Sequence, residues 1–595
     1  MNNKISLVAL TCCYVVMLYT SLVFFPKWNQ TRTEATLSWD VSGYYMYLPA
    51  IFIYKDIKHC NFKDSIVDKY YPAPGFQQAF LHKKSGNYVM KYTYGQALVM
   101  LPFFLVANTY CHLSSTYPAD GFSFPYQFCI GFGMLLYAFL GVFLLRKILL
   151  KYFSDTTVAI LLLSYVIGTN YLDYSSIDQA MTHNVLFTFY CALILATISF
   201  YENPTNRKAI GIGSLVGLMT LIRPTEIISC IIPLLWGINS FEEIPNRINF
   251  IFKNIPKFLL MGIMGIIFIS IQMIYWKYVA NEWVVYSYED QGFSWLHPHV
   301  YDYMLSYRSG WLRFTPMMIL ALIGILFYFK SGNNRLAILS FIFINFYIIM
   351  AWDMWDYSGA SGRAMIQSYP LLAFPFCLLI EKARNTNWKF YALLLVILFC
   401  TYINIWWTYH LHNGNIQTFN LTKEYYWKVI GRWDESDENK KLLDNMYIYE
   451  GNPSNYNVLY SNDFSRDTSA NATKDSINNK IKINKDLQYS ADYTIQHTSA
   501  VKKWIRASAE IYCNDKEWDF WKSAQFRLFF KNKSEVVQEN VIRIHRFINN
   551  GETKEIYIDT KVPQKDWDSL AVSFWNSDGD KELVIDNLKV ISFDE

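Results

Sequence analysis

Long stretches of this 595-residue sequence contain almost no charged side chains. Hydrophobic residues make up 52% of the chain and aromatic residues 18%, and uncharged runs such as residues 6–25 and 258–276 recur through the first 410 positions. Runs of about 18 or more apolar residues are typical of transmembrane helices and exclude an ordinary soluble protein. No small-residue cleavage site follows the first run, which therefore predicts an anchor rather than a cleaved signal peptide.

The sequence also lacks the cysteine and histidine spacings of a metal site. None of its ten cysteines forms a C-x-x-C pair, and most of them lie inside apolar runs. No EF-hand loop is present either. These absences exclude the usual zinc modules and EF-hand calcium sites. The formal net charge of +4 becomes informative only when the basic residues are assigned to loops.

Apolar runs predict about eleven transmembrane helices. They cover residues 6–25, 123–145, 156–173, 181–201, 208–222, 225–238, 257–278, 315–330, 335–351, 364–381 and 389–410. A further apolar run lies at 95–113. Whether it crosses the membrane determines on which side of the membrane every later loop lies. If it does not cross, the short loops after 145 that carry at least two basic residues all lie inside, as the positive-inside rule requires. The sequence therefore predicts 95–113 as a helix at or dipping into the outer face, with the N-terminus inside and the C-terminus outside.

The last 185 residues have a different character, because they are polar and contain no run long enough to span. We expect a transmembrane domain at 1–410 with its first external loop at 26–122, a helical or irregular connector at 411–480, and an external domain at 481–595. Alternating polar and apolar runs in that last domain predict strands of an antiparallel, jelly-roll-like β-sandwich. The runs are 503–513, 524–532, 541–548, 554–560, 570–576 and 582–593.

Ionisable residues collect on the predicted outer face, where several of them flank helix ends. They are Asp40, Lys91, Asp173, Asp178, His183, Arg223, Arg308 and Arg363. Each has an ordinary interpretation, since aspartates cap helices and arginines extend to lipid headgroups. Together they favour a phosphate site, because arginine donates two hydrogen bonds at once and a nearby carboxylate accepts a proton or holds a cation.

Three motifs give the first 410 residues a family resemblance. WDVSGYYMYLPA follows the first span, KYTYGQALVMLPFFLVAN precedes the surface helix, and LIRPTE joins two spans. This arrangement resembles the GT-C membrane glycosyltransferases, particularly bacterial members of the protein O-mannosyltransferase and aminoarabinose transferase group. The family pattern in the first loop is Asp-Glu, whereas here Val41 follows Asp40.

The resemblance implies a polytopic GT-C-like fold with juxtamembrane helices in the bacterial cytoplasmic membrane. It implies a polyprenyl-phosphate sugar as donor, a glycan, lipid or protein as acceptor, and Asp40 as a catalytic residue. A second catalytic carboxylate is either Asp173 or Asp178. Arg223, Arg308, Arg363, Lys91 and His183 are candidate donor-phosphate contacts, and a divalent cation such as Mg²⁺ or Mn²⁺ is a candidate cofactor.

The C-terminal domain resembles carbohydrate-binding jelly rolls, particularly in its ending ELVIDNLKVISF. Trp518, Trp521 and Trp575 are candidate sugar-stacking residues, although core positions explain tryptophans equally well. Two other functions fit the composition: a transporter or flippase of lipid-linked glycans, and a membrane-anchored glycan-binding protein. A transporter predicts charges within the spans, whereas the ionisable residues here gather on one face.

Overall fold

The computed structural model describes residues 3–288, 291–356, 361–413, 421–433, 437–445, 447, 449, 451–465, 472–474, 479–484, 486–513, 524–548, 551–576 and 582–594. The chain divides into two compact units, Met1–Phe419 and Asn420–Glu595. The first is helical and the second contains most of the strands.

Nineteen α-helices form the first unit within its described residues. They are α1 Lys4–Tyr19, α2 Trp39–Tyr45, α3 Tyr47–Phe52, α4 Lys63–Tyr70, α5 Gly95–Leu113, α6 Phe124–Leu149, α7 Asp155–Gly168, α8 Tyr171–Ser176, α9 Thr182–Glu202, α10 Asn206–Ile222, α11 Ile231–Leu235, α12 Ile244–Lys253, α13 Ile255–Ala280, α14 Val300–Leu305, α15 Trp311–Phe314, α16 Met317–Ser331, α17 Arg335–Ala351, α18 Tyr369–Arg384 and α19 Asn387–His412. Strands β1 Ala79–Leu81 and β2 Tyr88–Met90 pair antiparallel in the first predicted external loop.

Within the described residues, seven helical segments are long and apolar enough to cross a membrane. They are Lys4–Asn29, Gly95–Leu113, Phe124–Leu149, Thr182–Glu202, Ile255–Ala280, Arg363–Arg384 and Asn387–His412. Four shorter apolar helices accompany them, at Asp155–Gly168, Pro224–Leu235, Met317–Ser331 and Arg335–Ala351. The prediction of a multi-pass helical membrane protein is confirmed at this level, while the number of about eleven spans stays a prediction.

The exterior of the first unit is apolar where a soluble protein would be polar. Helix α13 buries only Gln272, Val279 and Ala280, while Ile266 is 67% exposed and Leu259 62% exposed. A helix of 26 residues with such a surface needs lipid around it.

Helix α5 packs antiparallel along the first half of α6, from Met134, which lies near Gln96, to Ser123, which lies near Cys111. Its start is fixed by Gln96, whose Nε2 donates to the carbonyl of Ala180 over 3.2 Å, and Ala180 precedes α9. Near its end, the Cys111 Sγ lies 3.8 Å from the Ser123 Oγ, and Ser123 precedes α6. Helices α6 and α9 run in the same direction, because Asn184 bonds the Met134 carbonyl and Thr188, one turn later, bonds the Tyr137 carbonyl. Gly95–Leu113 is among the helices long and apolar enough to cross a membrane, so its position at or dipping into the outer face stays a prediction.

Basic side chains collect at the opposite end of the bundle. Arg146, in the last turn of α6, donates to Ser6 Oγ over 2.9 Å, and Arg384, in the last turn of α18, donates to Ser154 Oγ over 2.5 Å. The position of these basic side chains at one end of the bundle matches the distribution of basic loops from which the topology is predicted. The sidedness itself stays a prediction.

In its described residues the second unit contains two antiparallel sheets that share a hydrophobic core, as the alternating runs predict. Its strands are β3 Asn457–Asn462, β4 Ala472–Lys474, β5 Asn479–Ile483, β6 Tyr493–Gln496, β7 Trp504–Cys513, β8 Gln525–Asn532, β9 Glu535–Arg543, β10 Thr553–Lys561, β11 Ser569–Trp575 and β12 Leu583–Phe593. One sheet has the order β10-β7-β12-β5-β4, with β3 also paired to β12, and the other has the order β6-β11-β8-β9. Ile505 and Val590 from the first sheet share a core with Leu528 and Phe574 from the second.

Two boundaries differ from those predicted. The run at 541–548 is only partly a strand, because β9 ends at Arg543 and a 3₁₀ turn, Ile544–Arg546, follows. Strands β3 and β4 fall in the segment assigned to the connector, where helices α20 Lys423–Val429 and α21 Asp437–Lys440 also lie.

Helices α10 and α13 approach closely at glycines. A Cβ added to Gly217 would meet the Gly265 Cα and the Phe268 Cβ at 2.9 Å, whereas a Cβ on Gly211 meets nothing within 4 Å. Gly213 and Gly217 form the small-xxx-small spacing that lets membrane helices pack.

We therefore expect Gly217→Leu to lower the free energy of unfolding by about 1–3 kcal/mol, because the added atoms must separate two backbones. Thermal unfolding of the detergent-solubilised protein measures this, with Gly211→Leu as the matched control on the same helix. Equal destabilisation by both variants would contradict the packing argument.

Candidate functional site: charge pairs at the helix ends

Four separate segments of the first unit converge at one end of the bundle. They are the start of α2, the link between α7 and α9, the turn after α10, and residues 361–368 before α18. The Asn170 Nδ2 donates to the Ser361 carbonyl over 2.7 Å, and the Thr93 Oγ1 donates to the Ile222 carbonyl over 3.0 Å. The segments singled out in the sequence for their ionisable residues are therefore neighbours.

Asp40 is the centre of this group, and both of its oxygens are engaged. Its Oδ2 lies 2.7 Å from Nη2 of Arg363, which is 323 residues away in the sequence. Its Oδ1 accepts a hydrogen bond of 2.7 Å from the Tyr92 hydroxyl. Burial, followed by the Asp40 charge, raises the pKa of Tyr92 well above its usual value. Tyr92 is therefore a fixed proton donor to the carboxylate.

The backbone before Arg363 has a conformation that favours glycine. Gly362 has φ 73°, in the left-handed region, and an added Cβ would lie 2.7 Å from Cγ of Trp311. The guanidinium that this turn directs to Asp40 also interacts with the Tyr174 hydroxyl. Glycine at 362 and a large aromatic at 311 thus position the cation.

Asp178 forms a second charge pair in the same region, with Lys27 at the end of the first span. Their side chains are 20% and 14% exposed. Burial alone would raise the pKa of Asp178, but the charge and hydrogen bond of Lys27, together with His412 and Arg363, outweigh burial and lower it. Arg363 contributes to this lowering, which places Asp178 within electrostatic reach of the Asp40 pair.

Asp173 forms a third pair, with His412 at the end of α19. It is 1% exposed, and burial raises its pKa against the opposing effect of His412. Its Oδ2 has no hydrogen-bond partner among the described residues. It lines a cavity of ≈ 20 Å³, a volume that accommodates one water molecule.

Arg223 is linked to a buried polar chain. Its Nη1 lies 3.4 Å from Nδ1 of His183. That histidine nitrogen also lies 3.1 Å from Oε1 of Gln367. The Gln367 Nε2 donates to Glu226 Oε1 over 3.0 Å, and the Tyr190 hydroxyl donates to Glu226 Oε2 over 2.5 Å. This chain of hydrogen bonds ends at the carboxylate of Glu226. Because Glu226 lies three residues after Arg223 in the sequence, the guanidinium has a negative charge nearby.

Several partners in these pairs are not found by sequence reasoning. Lys27, Tyr92 and Gln367 are absent from the predicted site, although each bonds a residue within it. Lys27 carries a usable signal, since it is a basic residue at the end of a span where the positive-inside rule disfavours one. Tyr92 and Gln367 carry none.

The other predicted residues have different surroundings. Arg308 pairs with Asp356 over 2.8 Å and is 45% exposed. The Lys91 Nζ lies 5.9 Å from the ring centroid of Tyr92. In the second unit the Trp575 ring stacks on Tyr489 with centroids 5.7 Å apart. Trp518 and Trp521 lie outside the described residues.

The described residues do not fit a divalent cation. No three histidine, cysteine, aspartate or glutamate side chains converge in the part of the chain that the structure describes. Asp40, Asp173 and Asp178 each face a cationic or potentially cationic partner, whereas Mg²⁺ and Mn²⁺ need several free oxygen ligands. We assign no step to a metal.

Comparisons with known proteins give structural likenesses only. No protein-family model matches the sequence, and no curated protein matches it. A xylan-binding domain from Paenibacillus barcinonensis is similar over 23% of this chain and 97% of its own, with 11% identity and a TM-score of 0.15. The arabinosyltransferase EmbB from Mycobacterium smegmatis is similar over 98% of this chain with 10% identity and a TM-score of 0.38. The match spans 64% of the length of EmbB. At these values neither likeness assigns a function.

The Lys27–Asp178 pair makes a stability prediction. Lys27→Met should lower the free energy of unfolding by about 2 kcal/mol, because it leaves a largely buried carboxylate without its cation. This loss of stability should shrink as the pH falls below about 4. Because the pKa of Asp178 is lower in the folded protein than in the unfolded chain, its ionised form stabilises the fold fully only above the unfolded-state pKa, and protonation removes that contribution.

Thermal unfolding in detergent across this pH range tests the prediction. Lys151→Met is the control, because Lys151 and Glu202 form an exposed pair of 3.5 Å, whose loss should cost under about 1 kcal/mol. Indistinguishable behaviour of the two variants would show that the buried pair contributes nothing.

Proposed function

We propose that this protein is a membrane glycosyltransferase that moves a sugar from a polyprenyl-phosphate-linked donor to an acceptor at the outer face of the cytoplasmic membrane. The observation that carries the proposal is the Asp40–Arg363 pair at 2.7 Å, formed where four helix ends meet. A carboxylate and a guanidinium in contact match what the reaction needs: a proton acceptor beside a phosphate-binding cation. The apolar exterior of the bundle provides the lipid environment that such a donor requires.

In the proposed reaction an acceptor hydroxyl oxygen attacks the anomeric carbon of the sugar. The bond between that carbon and the donor phosphate oxygen breaks, and the electron pair leaves on the polyprenyl phosphate. Asp40 takes the proton from the attacking hydroxyl, while Arg363 stabilises the charge that grows on the phosphate. Tyr92 orients Asp40 through its hydrogen bond of 2.7 Å.

Donor binding would change the partner of Arg363. In the free protein the guanidinium is bonded to Asp40, and a phosphate brings oxygens with greater negative charge to the same fork. Transfer of Arg363 to the phosphate would release an oxygen of Asp40 to accept a proton. Arg223, held at His183, would supply a second cation for the phosphate.

Of the two candidate second carboxylates, Asp178 is the better supported. Its pKa is lowered, so it remains ionised, and the charge of Arg363 contributes to that lowering. Asp173 is buried, its pKa is raised, and its partner is His412. We propose that Asp178 contributes its negative charge to the site and that Asp173 stabilises the structure around it.

Asp40→Asn tests the proposed base. The variant keeps the shape of the side chain and loses the proton acceptor, so we expect transfer to fall by at least about 100-fold. Because the sugar is not specified, the readout is the composition of surface glycans in a strain deleted for this gene and complemented with each variant.

Asp64→Asn is the matched control, since Asp64 lies in the same predicted loop and is 76% exposed. Wild type and the control should both restore the missing sugar. Restoration by Asp40→Asn at normal protein levels would refute the assigned role, and unchanged glycans in the deletion strain would refute the transferase function itself.

Arg363→Lys and Arg308→Lys distinguish between two of the three arginines proposed from the sequence. Lysine keeps the charge but loses the fork that holds both Asp40 and a phosphate. We expect the Arg363 variant to lose about tenfold or more in the same glycan assay. The Arg308 variant should retain most activity, because Arg308 is paired with Asp356 at 2.8 Å. The reverse order would place the phosphate at Arg308.

A further inference from the structure

Helix α12, Ile244–Lys253, lies in a loop between two of the spans predicted from the sequence. It follows a 3₁₀ turn, Phe241–Glu243, and only Asn254 separates it from α13. Asn254 is not helical, with φ −122° and ψ 23°, and Pro256 lies in the first turn of α13. Because a proline in that position begins a new helix, α12 is a separate helix and not an extension of the span.

The middle of α12 lies at the end of the bundle where the basic side chains collect. Glu202, the last residue of α9, lies 3.5 Å from Lys151, which follows α6. The neighbouring Tyr201 ring contacts α12 twice. Its centroid lies 5.1 Å from that of Phe250 and 3.9 Å from the guanidinium carbon of Arg247. Helix α12 is therefore held against the last turn of α9.

The end of α12 is level with the beginning of α10. Helices α10 and α13 run parallel, because a Cβ on Gly213 would meet Met261 and a Cβ on Gly217 would meet Gly265. The equal spacing of these pairs places the start of α13 beside the start of α10, which follows the end of α9 after a short link. The middle and the end of α12 thus both lie where the spans end.

One face of α12 is apolar and exposed. Ile248 and Phe252 are four residues apart, so they lie on the same face, and they are 48% and 67% exposed. Ile255, three residues beyond Phe252, continues this face into α13 and is also exposed. Phe241, in the turn before α12, is 77% exposed. The apolar face of α12 is therefore continuous with the exposed apolar surface of α13.

A second face of α12 is polar. Asn246, Asn249 and Lys253 follow one another at intervals of three and four residues, and all three are exposed. The third face carries Phe250 and packs on the bundle. The helix therefore has one side for the protein, one for an apolar environment and one for water.

This arrangement matches a helix that lies in the plane of a membrane interface, with its apolar face among acyl chains and its polar face among headgroups. We propose that α12 is an interfacial helix whose partner is the lipid bilayer, in the leaflet at the basic end of the bundle. In the predicted topology this is the inner leaflet. The continuity of Phe252 with Leu259 and the other exposed apolar side chains of α13 identifies lipid as the occupant. The assignment is independent of the proposed sugar transfer.

Depth-dependent fluorescence quenching tests this assignment with the full-length protein in lipid nanodiscs. The fluorescent amino acid dansylalanine is incorporated at one position at a time, replacing Phe252, Asn249 or Asp64. Phe252 samples the apolar face and Asn249 the polar face of the same helix. Asp64 lies in the first predicted external loop, is 76% exposed, and serves as the aqueous reference. The two quenchers are a lipid with a nitroxide high on its acyl chain and iodide in the buffer.

We expect the lipid nitroxide to quench position 252 at least about threefold more strongly than position 249, because an interfacial helix buries its apolar face roughly 5–10 Å into the boundary between headgroups and acyl chains. Iodide should show the opposite order, with position 249 close to the Asp64 reference. Equal quenching of positions 252 and 249 by both reagents would contradict an in-plane helix.

Two other outcomes would assign the apolar face to a different environment, and either would overturn the proposal. Strong quenching of position 252 by iodide would place the face in water. Protection of position 252 from both quenchers would show that protein covers it, and protection only in discs that hold two chains would identify a second copy. All three replaced side chains are exposed, so each labelled variant should keep the unfolding temperature of the wild type.

Discussion

The pairing of three aspartates at the helix ends with basic side chains is the interaction on which the first unit depends. Asp40, Asp173 and Asp178 are joined to Arg363, His412 and Lys27, respectively. An isolated charge at this depth would be expensive, so the partners must arrive together. The pairs therefore fix which helix ends meet, and they connect the first span, the first external loop and the end of the last helix of the unit.

Prediction from the sequence is strongest for features that depend on the local pattern along the chain. Asp40, Arg223 and Arg363 were selected because they flank spans on one predicted side, and loops on one side of a bundle are constrained to be neighbours. Alternation within runs also located most strands of the second unit, since period-two burial is a local property. The run ending in Ile548 was extended too far, because its alternation continues beyond the last ladder pairing of β9.

The sequence could not predict which side chains contact one another in the folded protein. Nothing in the local pattern around Tyr92 or Gln367 indicates that one bonds Asp40 and the other joins His183 to Glu226. The choice between Asp173 and Asp178 has the same origin, since both lie in one short link and the fold gives them different basic partners and different burial.

The bond between Asp40 and Arg363 also has a consequence for side reactions. A transferase that holds an activated sugar must avoid giving it to water, which is always present in excess. While the carboxylate is bonded to the guanidinium and the Tyr92 hydroxyl, both bonds stabilise its ionised form and make it a weaker base toward a passing water molecule. In the proposed reaction the base becomes available only when the phosphate has claimed the arginine. Under the proposed function, the resting ion pair would thus protect the lipid-linked donor from hydrolysis.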